Sequence, residues 1–134
     1  MTTVNDILLI NLQTFTEKKG KLSPLESAGL MDIKRFFYVY DVPVGEVRGK
    51  HSHHQTRQLF ICSRGSVQVR CDDGKNKVTY HLNSPSTALL VPEGIWAEEV
   101  YEEEGTVLMV LCNTHYDPKD YVTDYETFKK EKIK

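Results

Sequence analysis

Short apolar runs punctuated by turn-forming residues recur along most of this chain, and their period is that of strands rather than helices. Ile7-Leu8-Leu9-Ile10 is followed by polar residues and, further on, Gly20, which predicts a short strand and a turn within residues 5–16. Residues 21–27 contain Pro24 and suit an edge strand or crossing arm, because proline cannot donate to a ladder. Residues 33–41 are dense in aromatic and β-branched side chains and predict a strand that ends before Pro43 and Gly45. Residues 59–62 are continuously apolar, as in a strand buried on both faces. Residues 67–71 alternate, Asp72-Asp73-Gly74 is a hairpin signal, and residues 78–82 alternate again. Asn83-Ser84-Pro85 and Pro92-Glu93-Gly94 turn the chain around an apolar run at 88–91, and residues 96–100 and 106–112 add two more strands. The pattern then changes: between about 117 and 132, Tyr121, Tyr125 and Phe128 recur at helical spacing among charges and predict a C-terminal amphipathic helix. Eight or more short strands followed by one helix make an all-β sandwich or small barrel.

Composition narrows this to one soluble domain. The 134 residues leave room for a single ordinary domain, 1–134, and are 40% hydrophobic and 27% charged with a net charge of −2. Such a charge gives no electrostatic reason to expect nucleic acid or an anionic membrane as partner. No apolar run approaches the roughly 20 residues of a spanning helix, and the first residues lack the pattern of a signal peptide. Cys62, Cys71 and Cys112 are odd in number and lie within apolar runs, which predicts reduced core thiols and a cytoplasmic location.

The chemistry concentrates in residues 49–65. Three of the five histidines are here, two of them as His51-x-His53. In an extended segment His51 and His53 present two imidazoles to one surface while His54 faces the other. If that surface is a barrel interior, the pair forms a compact group titrating near neutrality. A purely structural, hydrogen-bonded pair is the competing reading.

Gly49-x-His51-x-His53, with Gln58 and Gly65 following, resembles the first motif of cupins, and Pro92-x-Gly94-x-x-Ala97 resembles the second. The resemblance implies a double-stranded β-helix (jelly-roll) barrel. Metal-binding cupins take two histidines and a glutamate from the first motif and one histidine from the second. Here Gln58 stands at the acid position and Ala97 at the last, and neither replaces its counterpart as a ligand, so no metal and no cofactor is expected.

A closer resemblance rests on Arg35-Phe-Phe-Tyr38, Arg48-Gly-Lys-His51-Ser-His53, Gln58-Leu, Gly65-Ser, Asp72-Asp73-Gly74, Pro92-x-Gly94-x-Trp96 and the tail Tyr116-Asp-x-x-Asp120-Tyr121-x-x-Asp124-Tyr125. These stretches resemble the dTDP-4-keto-6-deoxyglucose 3,4-ketoisomerases, a metal-free cupin branch whose members are homodimers, commonly with exchanged N-terminal strands. It implies conversion of dTDP-4-keto-6-deoxyglucose to a 3-keto-6-deoxyhexose, gluco or galacto, through an enediol, for 3-amino-3,6-dideoxyhexose and surface-glycan or lipopolysaccharide synthesis. By this resemblance His51 is the principal base, His53 relays or delivers the proton or sets its neighbour's charge, and Tyr38 donates to the sugar or the developing oxyanion. Arg48 and Arg35 are candidates for the diphosphate, and Gln58 for a hexose hydroxyl. Core packing competes for Tyr38, a solvated surface for the arginines, and plain burial for Gln58. Trp96 is placed either over the barrel mouth or in the core. His54, His81 and His115 are read as surface or structural, and Glu98-Glu99 and Glu102-Glu103-Glu104 as a solvated strand end and loop, with Glu98 the one able to turn inward. The rival functions are a sugar-nucleotide epimerase and a non-catalytic cupin that binds a nucleotide sugar.

Overall fold

A computed structural model describes residues 1–133. After a turn of 3-10 helix at Val4–Asp6, the strands run β1 (Leu8–Asn11), β2 (Phe15–Glu17), β3 (Gly20–Leu22), β4 (Arg35–Val39), β5 (Val47–His53), β6 (Gln58–Arg64), β7 (Val67–Asp72), β8 (Lys77–Leu82), β9 (Thr87–Val91), β10 (Trp96–Tyr101), β11 (Val107–Cys112) and β12 (Tyr121–Val122). One helix, α1, spans Tyr125–Lys132. Two five-stranded sheets, ordered β1-β9-β6-β11-β4 and β12-β5-β10-β7-β8, face each other, and β2 and β3 form a separate hairpin. All pairings are antiparallel. The result is the jelly-roll barrel that the strand pattern and the cupin motifs imply.

Alternation builds the core. Phe60 and Cys62 of β6, Val67 and Val69 of β7, and Leu108 and Val110 of β11 point between the sheets with Leu89 and Tyr101. The intervening Leu59 and Ile61, with Ala88 and Leu90 of β9, face outward. They are covered by the N-terminal segment through Ile10, Leu12, Leu25 and Met31, which explains why residues 59–62 are apolar throughout. The three cysteines are free and buried. Burial pushes the Cys62 thiol up to about 11 and that of Cys71 up to about 12, so neither is a thiolate nucleophile at neutral pH.

The C-terminal segment departs from its sequence pattern. Instead of one helix over 117–132, Pro118–Asp120 make a 3-10 turn capped by the Asp117 side chain, and Tyr121 and Val122 pair with His53 and Ser52 of β5. Asp124 then caps α1, its carboxylate accepting from the Thr127 amide at 3.0 Å. The caps explain the difference, since Asp117 and Asp124 each satisfy amides at a new helix start. Only Tyr125 and Phe128 of the three aromatics share the helix. They pack on Trp96, with ring centroids 5.2 and 5.7 Å away, so Trp96 lies outside the barrel under α1. Lys132 fixes the end of α1 by donating to the carbonyls of Thr2 and Gly94 at 2.8 and 2.9 Å. Among the described residues no helix is long and apolar enough to cross a membrane.

Candidate active site

A cavity of about 500 Å³ opens between the sheets, walled by β4, β5, β6, β10, β11 and β12. Its polar groups include Arg35, Arg48, His51, Gln58, Glu99 and Tyr121, with Tyr38 at the rim, against Phe37, Phe60 and Val110. A bulge in β5 brings two of these together. Arg48 and His51 are an odd number of residues apart, so a regular strand would turn them to opposite faces. Instead the register against β10 shifts: His51 opposes Ala97 and Arg48 opposes Glu99. The extra residue falls where Gly49 and Lys50 both adopt positive φ, 83° and 59°. Both side chains thereby share the inner face, and Gly49 supplies the left-handed backbone without strain.

His51 is held for use as a base. Its Nδ1 lies 3.0 Å from the Gly49 carbonyl, which only accepts, so Nδ1 carries the proton and Nε2 keeps its lone pair. Burial lowers the pKa of the ring, partly opposed by that hydrogen bond, and the neutral form prevails at pH 7. His53 is a different case. It is 7% exposed and lies behind His51, ring edge to ring at 5.0 Å, without lining the cavity. Its Nδ1–H donates to Asp120 Oδ2 at 3.0 Å. Burial and the neighbouring His51 outweigh that carboxylate and push its pKa down to about 4, so the pair is neutral imidazole with carboxylate. Its Nε2 is buried without a hydrogen-bond partner among the described residues.

Asp120 is fixed in turn. It accepts from Thr56 Oγ1 at 2.5 Å and from the Gln55 amide at 2.7 Å, and these bonds, with that from His53, hold its carboxyl below the usual range against the opposing effect of burial. The next residue, Tyr121, stacks obliquely on both imidazoles, with centroids 5.0 Å from His51 and 4.4 Å from His53. Its hydroxyl accepts from Arg35 Nη1 at 3.4 Å, which leaves its own proton free to donate into the cavity. The Arg35 guanidinium is sandwiched by Phe37 at 4.5 Å and Tyr116 at 5.0 Å.

Of the residues singled out from sequence, His51, Arg35, Arg48, Gln58 and Tyr38 line one cavity. Gln58 is buried and donates weakly to Cys112 Sγ at 3.6 Å. Tyr38 lines this cavity as well, at its edge. It sits at the rim on edge strand β4, 56% exposed, its ring stacked with Phe36 and Tyr40 on the side away from Phe37 and the core. The phenol stacked on the histidine pair is that of Tyr121. His54 pairs with Glu131 of α1 outside the cavity, and His81 and His115 are exposed. Glu98 accepts from the Trp96 indole outside the barrel, whereas Glu99 is the one that turns inward. Sequence reading passed over Asp120, Tyr121 and Glu99. The first two stood in the quoted tail motif, and for Glu99 the alternation of β10 was the available signal.

The family model for FdtA, described as WxcM-like, C-terminal, matches residues 5–133. A TDP-4-oxo-6-deoxy-alpha-D-glucose-3,4-oxoisomerase from Aneurinibacillus thermoaerophilus is 34% identical over 124 residues, 91% of this chain and 89% of that protein. The crystal structure of QdtA, a sugar 3,4-ketoisomerase from Thermoanaerobacterium thermosaccharolyticum in complex with TDP, superposes with a TM-score of 0.92 at 33% identity, covering 98% of this chain and 97% of that one. A histidine-to-asparagine variant of that enzyme holds TDP-4-keto-6-deoxyglucose. WlaRA, a TDP-fucose-3,4-ketoisomerase from Campylobacter jejuni, gives a TM-score of 0.89 at 31% identity over 95% of this chain and 96% of its own. With residues 5–133 matched by the family model and nearly its whole length covered by these relatives, the chain belongs to the FdtA family and is an isomerase of the sugar 3,4-ketoisomerase group.

Proposed function

We propose that the protein converts dTDP-4-keto-6-deoxyglucose to its 3-keto isomer through an enediol, with His51 as the base that moves the carbon-bound proton. The observation that carries this reading is the tautomer of His51: Nδ1 is tied to the Gly49 carbonyl, and the bare Nε2 belongs to a side chain lining a cavity of sugar-nucleotide size. His51 takes the proton from C3 and returns it to the adjacent C4, so one base serves both half-reactions. The imidazolium formed in between is favoured by His53, whose Asp120 partner places a negative charge behind it. His53 is therefore a positioning residue that acts through His51. Arg35 and Tyr121 face the oxygen on which negative charge develops. Arg48 holds the diphosphate at the mouth through its fork of donors, with Arg35 further in, and Gln58 bonds a hexose hydroxyl.

The product, a 3-keto-6-deoxyhexose of gluco or galacto configuration, is the form a 3-aminotransferase consumes. In this reading the enzyme acts in the cytoplasm, before 3-amino-3,6-dideoxyhexose formation for a surface glycan. The working unit is a homodimer. Supporting this are the exposed Phe36-Tyr38-Tyr40 ladder on edge strand β4 and the exposed Phe15 and Leu22 of the β2–β3 hairpin, which pairs with neither five-stranded sheet. Light scattering checks the mass.

The deciding experiment is NMR of the product formed from dTDP-4-keto-6-deoxyglucose, trapped by a 3-aminotransferase. The proposed reaction gives a 3-amino sugar. An epimer whose ketone stays at C4 supports the epimerase instead, and tight TDP binding without turnover of any 4-keto sugar nucleotide supports a binding protein.

A further inference from the structure

One carboxyl in the cavity has no part in the reaction just described. Glu99 lies on β10 between Ala97 and Tyr101, on the inner face, opposite Arg48. It is 9% exposed and lines the same cavity as His51, against walls that include Phe60 and Val110. Its carboxyl rests on the backbone of Gly49, where a Cβ would collide with Oε2. The bulge that orients His51 therefore also makes the seat for Glu99. Beside it, the Tyr101 hydroxyl is buried with no hydrogen-bond partner among the described residues.

Isomerisation needs two proton movements, and His51 accounts for only the one on carbon. While C3–H becomes C4–H, the hydroxyl proton of O3 must be lost and O4 must gain one. We propose, resting on the isomerase reading above, that Glu99 is the catalytic acid that carries this oxygen proton, giving it to O4 through one carboxyl oxygen and taking the O3 proton through the other. In the first half, His51 removes the proton from C3, the C–H electrons form the C3=C4 bond, and the carbonyl electrons at O4 take the Glu99 proton. In the second, the Glu99 carboxylate takes the O3 proton and the O3 electrons form the new carbonyl. The C3=C4 electrons then take the proton from His51 at C4. Both residues return to their starting states, and no oxidant or reductant is consumed. A carboxyl suits this exchange because its two oxygens face two oxygens on adjacent carbons at once.

The surroundings keep the acid form. Burial pushes the Glu99 carboxyl up to about 8, with Glu98 acting in the same direction and Arg48 against it. The other titratable groups facing it are His51 on β5, Cys71 on β7 and Tyr101 on β10, with Arg35 and Tyr121 also lining the cavity.

The test is Glu99→Gln, which keeps size and hydrogen bonding but transfers no proton. Affinity for TDP is expected to stay within about threefold while kcat falls by about 100-fold or more. Wild-type kcat is expected to decline as pH rises through about 8, because the donor is then ionised. A variant with kcat within about threefold of wild type overturns the role of Glu99, and so does a wild-type kcat that stays flat to about pH 9. If Glu99→Gln fails to give native circular dichroism, the wild-type profile decides alone. His51→Asn in the same assay separates the two levels. A wild type without turnover defeats the isomerase reading, whereas an active wild type, a dead His51→Asn and a fully active Glu99→Gln defeat only this inference.

Discussion

Replacing Asp120 with Asn changes one atom type and disturbs three donors. The carboxylate accepts from His53 Nδ1, Thr56 Oγ1 and the Gln55 amide. Gln55 is exposed and turns to water, and Thr56 keeps Thr114 at 2.6 Å, so the largest loss is at buried His53. A hydrogen bond to a charged group contributes about 1.5–3 kcal/mol, and an amide retains one acceptor, so the expected loss of stability is about 2–3 kcal/mol. The amide NH₂ has two orientations. Facing His53 with its NH₂, it donates to Nδ1 and drives the proton to Nε2, against the His51 ring. Facing it with oxygen, it keeps the tautomer but still removes the negative charge that favours a protonated His51. Either way the intermediate is disfavoured while the nucleotide site is untouched. We expect kcat to drop by roughly 10- to 100-fold with KM within about threefold. Urea unfolding reads the stability and a coupled aminotransferase assay the rate. An Asp120→Asn protein with wild-type midpoint and wild-type kcat would refute the role given to the His53–Asp120 pair.

Other outcomes follow from the same geometry. Arg48→Ala should raise the Kd for TDP by roughly 10- to 100-fold, as befits a lost charge-assisted contact, and lessen its salt dependence; calorimetry at two ionic strengths checks this. Glu99 has a folded pKa of about 8, above its ordinary 4.5, so the folded state holds a proton the unfolded state releases, and its contribution declines as pH rises from 4.5 to about 8. Glu99→Gln should therefore gain in stability relative to wild type across that window, and a pH-independent difference in unfolding midpoints would contradict it. His53 has the opposite sign: with a folded value of about 4 against 6.5, the unfolded state binds the extra proton, and stability falls as pH drops from 6.5 to about 4. In wild type the two slopes oppose each other between 4.5 and 6.5, so the acid-side loss should be clearest in the Glu99→Gln background. Phe128→Ala opens a hole beneath α1 against Trp96 and should cost about 3–5 kcal/mol in unfolding experiments.

The barrel was legible because period-two alternation and turn residues report strands directly, as at residues 67–71 and Asp72-Asp73-Gly74, where β7 turns into β8. The tail was misread for a physical reason. Tyr121, Tyr125 and Phe128 keep a helical spacing, but Asp117 and Asp124 cap two separate starts, and Tyr121 is drawn into β5 pairing beside His53. Pattern alone does not weigh a cap against a periodicity. The facing of His51 was readable from His51-x-His53, yet that of Arg48 depends on the Gly49–Lys50 bulge, which appears only when β5 is laid against β10. Glu99 was hidden by its neighbours: in a run of acids, which one turns inward is decided by register with Arg48 and by the room above Gly49. Tyr38 stands at the cavity rim because its neighbour Phe37 takes the core side.

Everything proposed for this site depends on His51 moving a proton between C3 and C4 of a TDP-linked 4-keto sugar. The most direct measurement is ¹³C NMR of dTDP-4-keto-6-deoxyglucose labelled at C4, incubated with wild-type protein and with His51→Asn. Wild type is expected to shift the label from a carbonyl to a carbinol resonance, while His51→Asn leaves it a carbonyl with TDP affinity retained. A label that stays carbonyl in both, or moves equally fast in both, contradicts that role of His51.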